Sequence, residues 1–148
     1  MLDSVSTTQL AENLMITVAS LRRAVRRKLR GQVPFAPMRA AQVDLLRTVE
    51  KEPGIGVAAA ARAMHLAGNS VSTLVNQLVD AEMLERHVDP ADRRAARLHL
   101  TKAAEKRLET WRRTRTDYVA GALAKLSKKD IDAIGGALPA LGRLLEVL

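Results

Sequence analysis

The sequence predicts a mainly α fold with one small β-hairpin and long helices at both ends. Three observations predict it. Apolar residues recur at spacings of three and four over most of the chain, which is the period of a helix buried on one face. That period gives way to strict alternation on either side of Asp89-Pro90-Ala91-Asp92-Arg93-Arg94, which is the period of a strand pair around a polar turn. The composition is 47% hydrophobic but only 2% aromatic, so a core of Leu, Val, Ile and Ala must do the packing. At 148 residues the chain makes a single domain, residues 1–148. Within it a central lobe spans 38–100, and residues 1–33 and 101–148 form a helical region suited to dimerisation.

The first helix runs from about Val5 to Arg30, with Leu10, Leu14, Val18, Leu21, Val25 and Leu29 forming one apolar stripe. About 26 residues at 1.5 Å each make it ~39 Å long, so the stripe needs another surface. Gly31 stops it, and Pro34 and Pro37 prevent its continuation. A second helix fits Arg39–Lys51 with Val43, Leu46 and Val49 inward, ended by Pro53-Gly54. A short Ala-rich helix fits Val57–Met64, and His65 to Gly68 form a tight turn. The next helix fits Asn69–Glu82, with Asn69 as N-cap and Val71, Leu74, Val75 and Leu78 inward. Leu84–Asp89 and Arg97–Leu100 alternate as two strands. A hairpin turning near Arg93 brings His87 and His99 roughly opposite each other on one face, where cross-strand packing explains them without a metal. Thr101 caps a helix to about Leu126, and Ser127 caps the last, Lys128–Leu148, with a bend expected at Gly135, Gly136 and Pro139.

Charge is concentrated. The net charge is +8, but residues 21–30 alone carry a net +6 through Arg22, Arg23, Arg26, Arg27, Lys28 and Arg30. Residues 86–115 carry another +6, with ten basic and four acidic groups. Two basic patches on a near-neutral body point to an anionic polymer as partner; read as solvated helix faces, they serve solubility. There is no cysteine, which excludes disulfide frameworks, thiolate metal sites and thiol catalysis. No phosphate-binding Gly-rich loop or nucleophile motif occurs, so no enzyme, cofactor or metal is expected. No apolar run approaches the ~20 residues of a membrane span, and the expected setting is cytoplasmic.

Short helix, turn, amphipathic helix and hairpin in that order make a winged helix-turn-helix. Its second helix fits a major groove and its hairpin reaches beside it. Here the sequence resembles the MarR family of bacterial transcriptional regulators. Asp89-Pro90-Ala91-Asp92-Arg93-Arg94 followed by Leu98-His99-Leu100-Thr101 looks like the family's wing. Gln42 with Leu45-Leu46 is similar to its second helix, and Met83-Leu84-Glu85-Arg86 to the segment entering the wing. The chain departs from the family at Ala67-Gly68, where Ser or Thr is usual, and at Thr73 and Gln77, where Arg is frequent. The outward face of the recognition helix therefore carries no positive charge. Its Asn and Gln are the bidentate partners of adenine, so A·T-rich contacts are expected.

The candidate DNA-binding residues are Ser70, Ser72, Thr73, Asn76 and Gln77 on that helix, and Arg86, Arg93, Arg94 and Arg97 in the wing. Ser70 and Ser72 suit phosphate, and Thr73, Asn76 and Gln77 suit bases. A wing guanidinium suits a narrow minor groove, while an aspartate of the turn pairs with another to stiffen the hairpin. The apolar terminal helices, including Ile131, Ile134, Leu138, Leu141, Leu144, Leu145 and Leu148, call for a twofold homodimer. The resemblance implies the same dimer and a small-molecule effector pocket, for which Met15, Phe35, Met38, Trp111 and Tyr118 are the candidate lining. The expected function is a sequence-specific regulator of double-stranded DNA acting on a pseudo-palindromic operator, a repressor relieved by an effector, with no membrane partner. Two alternatives remain: a winged helix that has lost DNA for protein contacts, or a basic amphipathic binder of anionic membrane.

Overall fold

A computed structural model describes residues 6–32 and 36–148. Six helices and one hairpin follow the order expected: α1 (Thr7–Leu29), α2 (Ala40–Lys51), α3 (Val57–Ala63), α4 (Gly68–Asp80), β1 (Leu84–Val88), β2 (Ala96–Leu100), α5 (Lys102–Leu123) and α6 (Lys128–Glu146). They fall into two compact units. One comprises the residues from α2 through Arg112; the other comprises α1 and Arg113–Leu148.

The lobe is built around Leu45, Leu46 and Val49 of α2, Val71, Val75 and Leu78 of α4, and Leu84 and Leu98 of the hairpin. Each of these eight is at most 2% exposed. Ala60 and Ala61 of α3 join them, and their small side chains let α3 lie close to its neighbours. Ala104 and Leu108 are buried in the same cluster, so the first half of α5 packs as part of the lobe, past the boundary expected at residue 100.

Both helix ends that aim the recognition helix are closed without glycine. After α3, His65 stands at φ 53°; its N–H donates to Arg62 O, and the Leu66 N–H donates to Ala61 O. After α4, Glu82 stands at φ 56°, with Glu82 N–H on Val79 O and Met83 N–H on Leu78 O. These are paired 5→2 and 6→1 closures, made with residues that tolerate the left-handed region poorly.

Two details differ from expectation. The N-cap of α4 is Ala67, with no side-chain cap; Asn69 lies inside the first turn and spends its carboxamide oxygen on the Ser70 N–H at 2.8 Å. The last helix runs from Lys128 to Glu146 with Pro139 inside it, so Gly135, Gly136 and Pro139 do not end it. The Ser127 and Thr101 caps form, their hydroxyls accepting from Asp130 N and Ala104 N.

Candidate nucleic-acid interface

The hairpin is anchored at its base and free at its tip. The pairs run from Leu84–Leu100 to Val88–Ala96, yet only Leu84 of β1 is buried. The anchor is the loop after α2: Gly54 N–H donates to Leu98 O at 2.8 Å, and Leu98 N–H donates to Ile55 O at 3.0 Å. Gly54 adopts φ 86° there, a conformation that favours glycine. Beyond that anchor the hairpin stands out as a wing.

Within the wing the arginines divide their work. Arg97 donates to Asp89 at 2.9 to 3.0 Å and also to the Gly54 carbonyl. It is the brace between the wing and the lobe. The Ala91 N–H, followed by Arg97, holds the Asp89 carboxyl below its ordinary value. Asp92 accepts from the Arg94 N–H at 2.9 Å, which sets the turn. Arg93 and Arg94 themselves are exposed. Among the described residues no side chain pairs with either guanidinium.

The Asp89 tether has a pH signature. A carboxyl lowered by native contacts adds stability that is fully present above its unfolded value, near 4, and is lost as pH falls through the lower folded value. Wild type should therefore melt above Asp89→Asn by a constant margin from about pH 5 to neutral. The two melting temperatures should converge in stronger acid. A margin that widens in acid would contradict the tether.

On α4, Ser70, Thr73, Asn76 and Gln77 are exposed, and Ser72 is half-buried. The face is tied to its neighbours. Arg86 of β1 donates to the Asn76 carboxamide oxygen, Gln42 of α2 donates to that of Gln77 at 3.3 Å, and the Thr73 hydroxyl donates to Asn69 O at 3.0 Å. Position-by-position reading of the sequence missed the first two ties, because they join residues on different elements.

The histidines are diagonal neighbours, since the register sets His99 opposite Glu85 and His87 opposite Arg97. Their rings stack with centroids 4.5 Å apart, and His87 Nε2 lies 3.0 Å from Glu85 Oε2. Among the described residues no cluster of three His, Asp or Glu side chains could hold a metal. The basic residues of α1 from Arg22 to Arg30 are exposed. Arg112 instead pairs with Glu50 and Glu109 at 2.7 Å, and Arg113 approaches Asp117 at 4.0 Å.

Of the candidate pocket residues, Met38 packs against the lobe core and Trp111 lies under the Arg47 guanidinium, 4.9 Å from the ring centre. Met15 is 66% exposed and Tyr118 half-buried in the other unit. Phe35 and Pro34 lie outside the described residues. No described helix is long and apolar enough to cross a membrane.

The sequence model of the MarR family matches residues 37–95, which is the stretch from the start of α2 to the wing tip. Over that stretch the chain is similar to the MarR family. Over 146 residues it is 25% identical to an uncharacterised HTH-type transcriptional regulator of Mycobacterium bovis, covering 99% of this chain and 98% of that regulator. A MarR family protein from Bacillus stearothermophilus has the same fold at a TM-score of 0.79, with 20% identity and 99% of each chain covered. Streptococcus pneumoniae FabT, in a complex with DNA, matches at a TM-score of 0.74 and 22% identity, covering 94% of this chain and 96% of that one. The chain thus shares the winged helix-turn-helix fold of these MarR-type structures.

Proposed function

We propose that the chain is a cytoplasmic repressor that binds a pseudo-palindromic operator as a homodimer. In this reading α4 enters the major groove, and Arg93 or Arg94 reaches the adjacent minor groove or its phosphates. The observation that carries it is the wing tip: two unpaired guanidinium groups on a hairpin braced at its base, beside an exposed polar helix face. That the pneumococcal neighbour is found in complex with DNA supports DNA as the partner. Dimerisation is supported by the terminal helices. Leu10, Met15 and Leu21 of α1 and Leu138 and Leu145 of α6 are each about 60% exposed or more, and no residue of α6 is buried. Apolar faces of this extent favour a covering partner, and a twofold axis would set two recognition helices about one DNA turn apart. An effector would relieve repression by favouring a dimer geometry whose half-site spacing mismatches the operator.

Selecting bound duplexes from a random pool tests the reading. A pseudo-palindromic motif with half-sites about 10 base pairs apart is expected, together with an affinity that falls steeply as salt rises. Absence of any retarded complex at low salt would favour the protein-contact alternative.

A further inference from the structure

The recognition helix lacks a cation of its own, yet its Asn76 and Gln77 carboxamides do not face DNA with both of their edges free. Their orientation is fixed by groups that can only donate. The Arg86 guanidinium has no acceptor, so the oxygen of Asn76 must be the atom that meets it. The Arg39 N–H donates to the carboxamide oxygen of Gln42 at 3.1 Å. That contact turns the Gln42 amino group toward Gln77, whose oxygen receives it. Two chains of directed hydrogen bonds thus end on α4, and each leaves an amide NH2 pointing away from its tie.

From this we propose that α4 reads base edges as a donor, with Arg86 and Gln42 as positioning residues that set the polarity of Asn76 and Gln77. The proposal rests on the DNA-binding reading above and sharpens it. Bidentate recognition of adenine requires an amide that accepts from N6 while donating to N7. An amide oxygen that already receives one hydrogen bond keeps a single lone pair, held in a direction set by that tie, while its amino protons stay free, so it favours edges rich in acceptors, which are guanine O6 and N7 and thymine O4. Arg86 also brings to this face the positive charge that Thr73 and Gln77 do not supply. The adenine preference expected from residue types alone is therefore replaced by a guanine or thymine preference.

The test selects bound duplexes from a random pool with wild type, Asn76→Ala, Arg86→Ala and Arg86→Lys. Asn76→Ala identifies the motif column that Asn76 reads, as the one that loses its preference. Wild type is expected to carry guanine or thymine there, by about 10-fold over adenine. In Arg86→Ala that column should move to adenine while the other columns stay. Arg86→Lys restores a donor against the Asn76 oxygen and should restore guanine or thymine, a rescue that also shows the site is folded. Adenine at that column in wild type would overturn the proposal. So would an Arg86→Ala motif unchanged in sequence but uniformly weaker, because Arg86 would then act on phosphate alone. In both cases DNA binding itself stands; a wild-type protein that enriches no duplex overturns both readings.

Discussion

Replacing Arg93 and Arg94 together by alanine is expected to weaken operator binding on the order of 100-fold and to flatten its salt dependence. Each phosphate neutralised adds about 0.9 to the slope of log affinity against log salt. Two contacts per protomer then make the slope shallower by about 3.6 for a dimer, and one makes it shallower by about 1.8. The slope of a titration at several salt concentrations therefore reports how many tip arginines lie on the backbone. Folding should be untouched. Both side chains are exposed, and the bond from the Arg94 N–H to Asp92 survives the substitution. The folding free energy should stay within the range of surface changes, about ±0.5 kcal/mol. Arg97→Ala is the contrasting variant. It removes the ties to Asp89 and Gly54, so it should loosen the wing and lose affinity by misplacing the tip. An unchanged salt slope in the double variant would refute the wing assignment.

The element order, the hairpin and the inward face of α4 were legible because hydrophobic period and turn chemistry are local; on α2 the core takes Leu45 with Leu46 and Val49, and Val43, expected inward, is only half-buried. Where reading was less sure, tertiary structure decides. Asn69 resembles an N-cap, but a helix can start one residue earlier at Gly68, and Asn69 then caps nothing. The ends of α3 and α4 carry no glycine signal, since His65 and Glu82 take the left-handed positions and the hydrogen bonds of the closure hold them there. In the wing, residue types alone leave the partner of the aspartate open. The strand register settles it: Asp89 lies just past the Val88–Ala96 pair, within reach of Arg97. Arg86–Asn76 and Gln42–Gln77 span 10 and 35 residues of sequence. Nothing in either local pattern marks a partner that far away, so the polarity of the recognition face emerges only when α2, α4 and β1 are assembled.

The largest stability effect should come from Leu98→Ala. Leu98 is fully buried, and both of its backbone polar groups are bonded to the loop after α2. It joins the wing to the core formed by α2 and α4. Leucine-to-alanine changes at such sites cost about 3–5 kcal/mol through lost transfer energy and the cavity left behind. That is a large share of the roughly 5–15 kcal/mol that keeps a domain folded. The effect should appear as a lower urea midpoint with an unchanged m-value. Val88→Ala is the internal control: it lies on the other strand, past the anchor, where 66% of the residue is exposed. It should cost about 0.5 kcal/mol or less. The two variants together separate a wing whose base is core and whose tip is free from one that packs along its length. A Leu98→Ala cost below about 1 kcal/mol, or a Val88→Ala cost equal to it, would mean that the hairpin is not anchored as described. The tip arginines would then lack the fixed base from which a groove contact could be made.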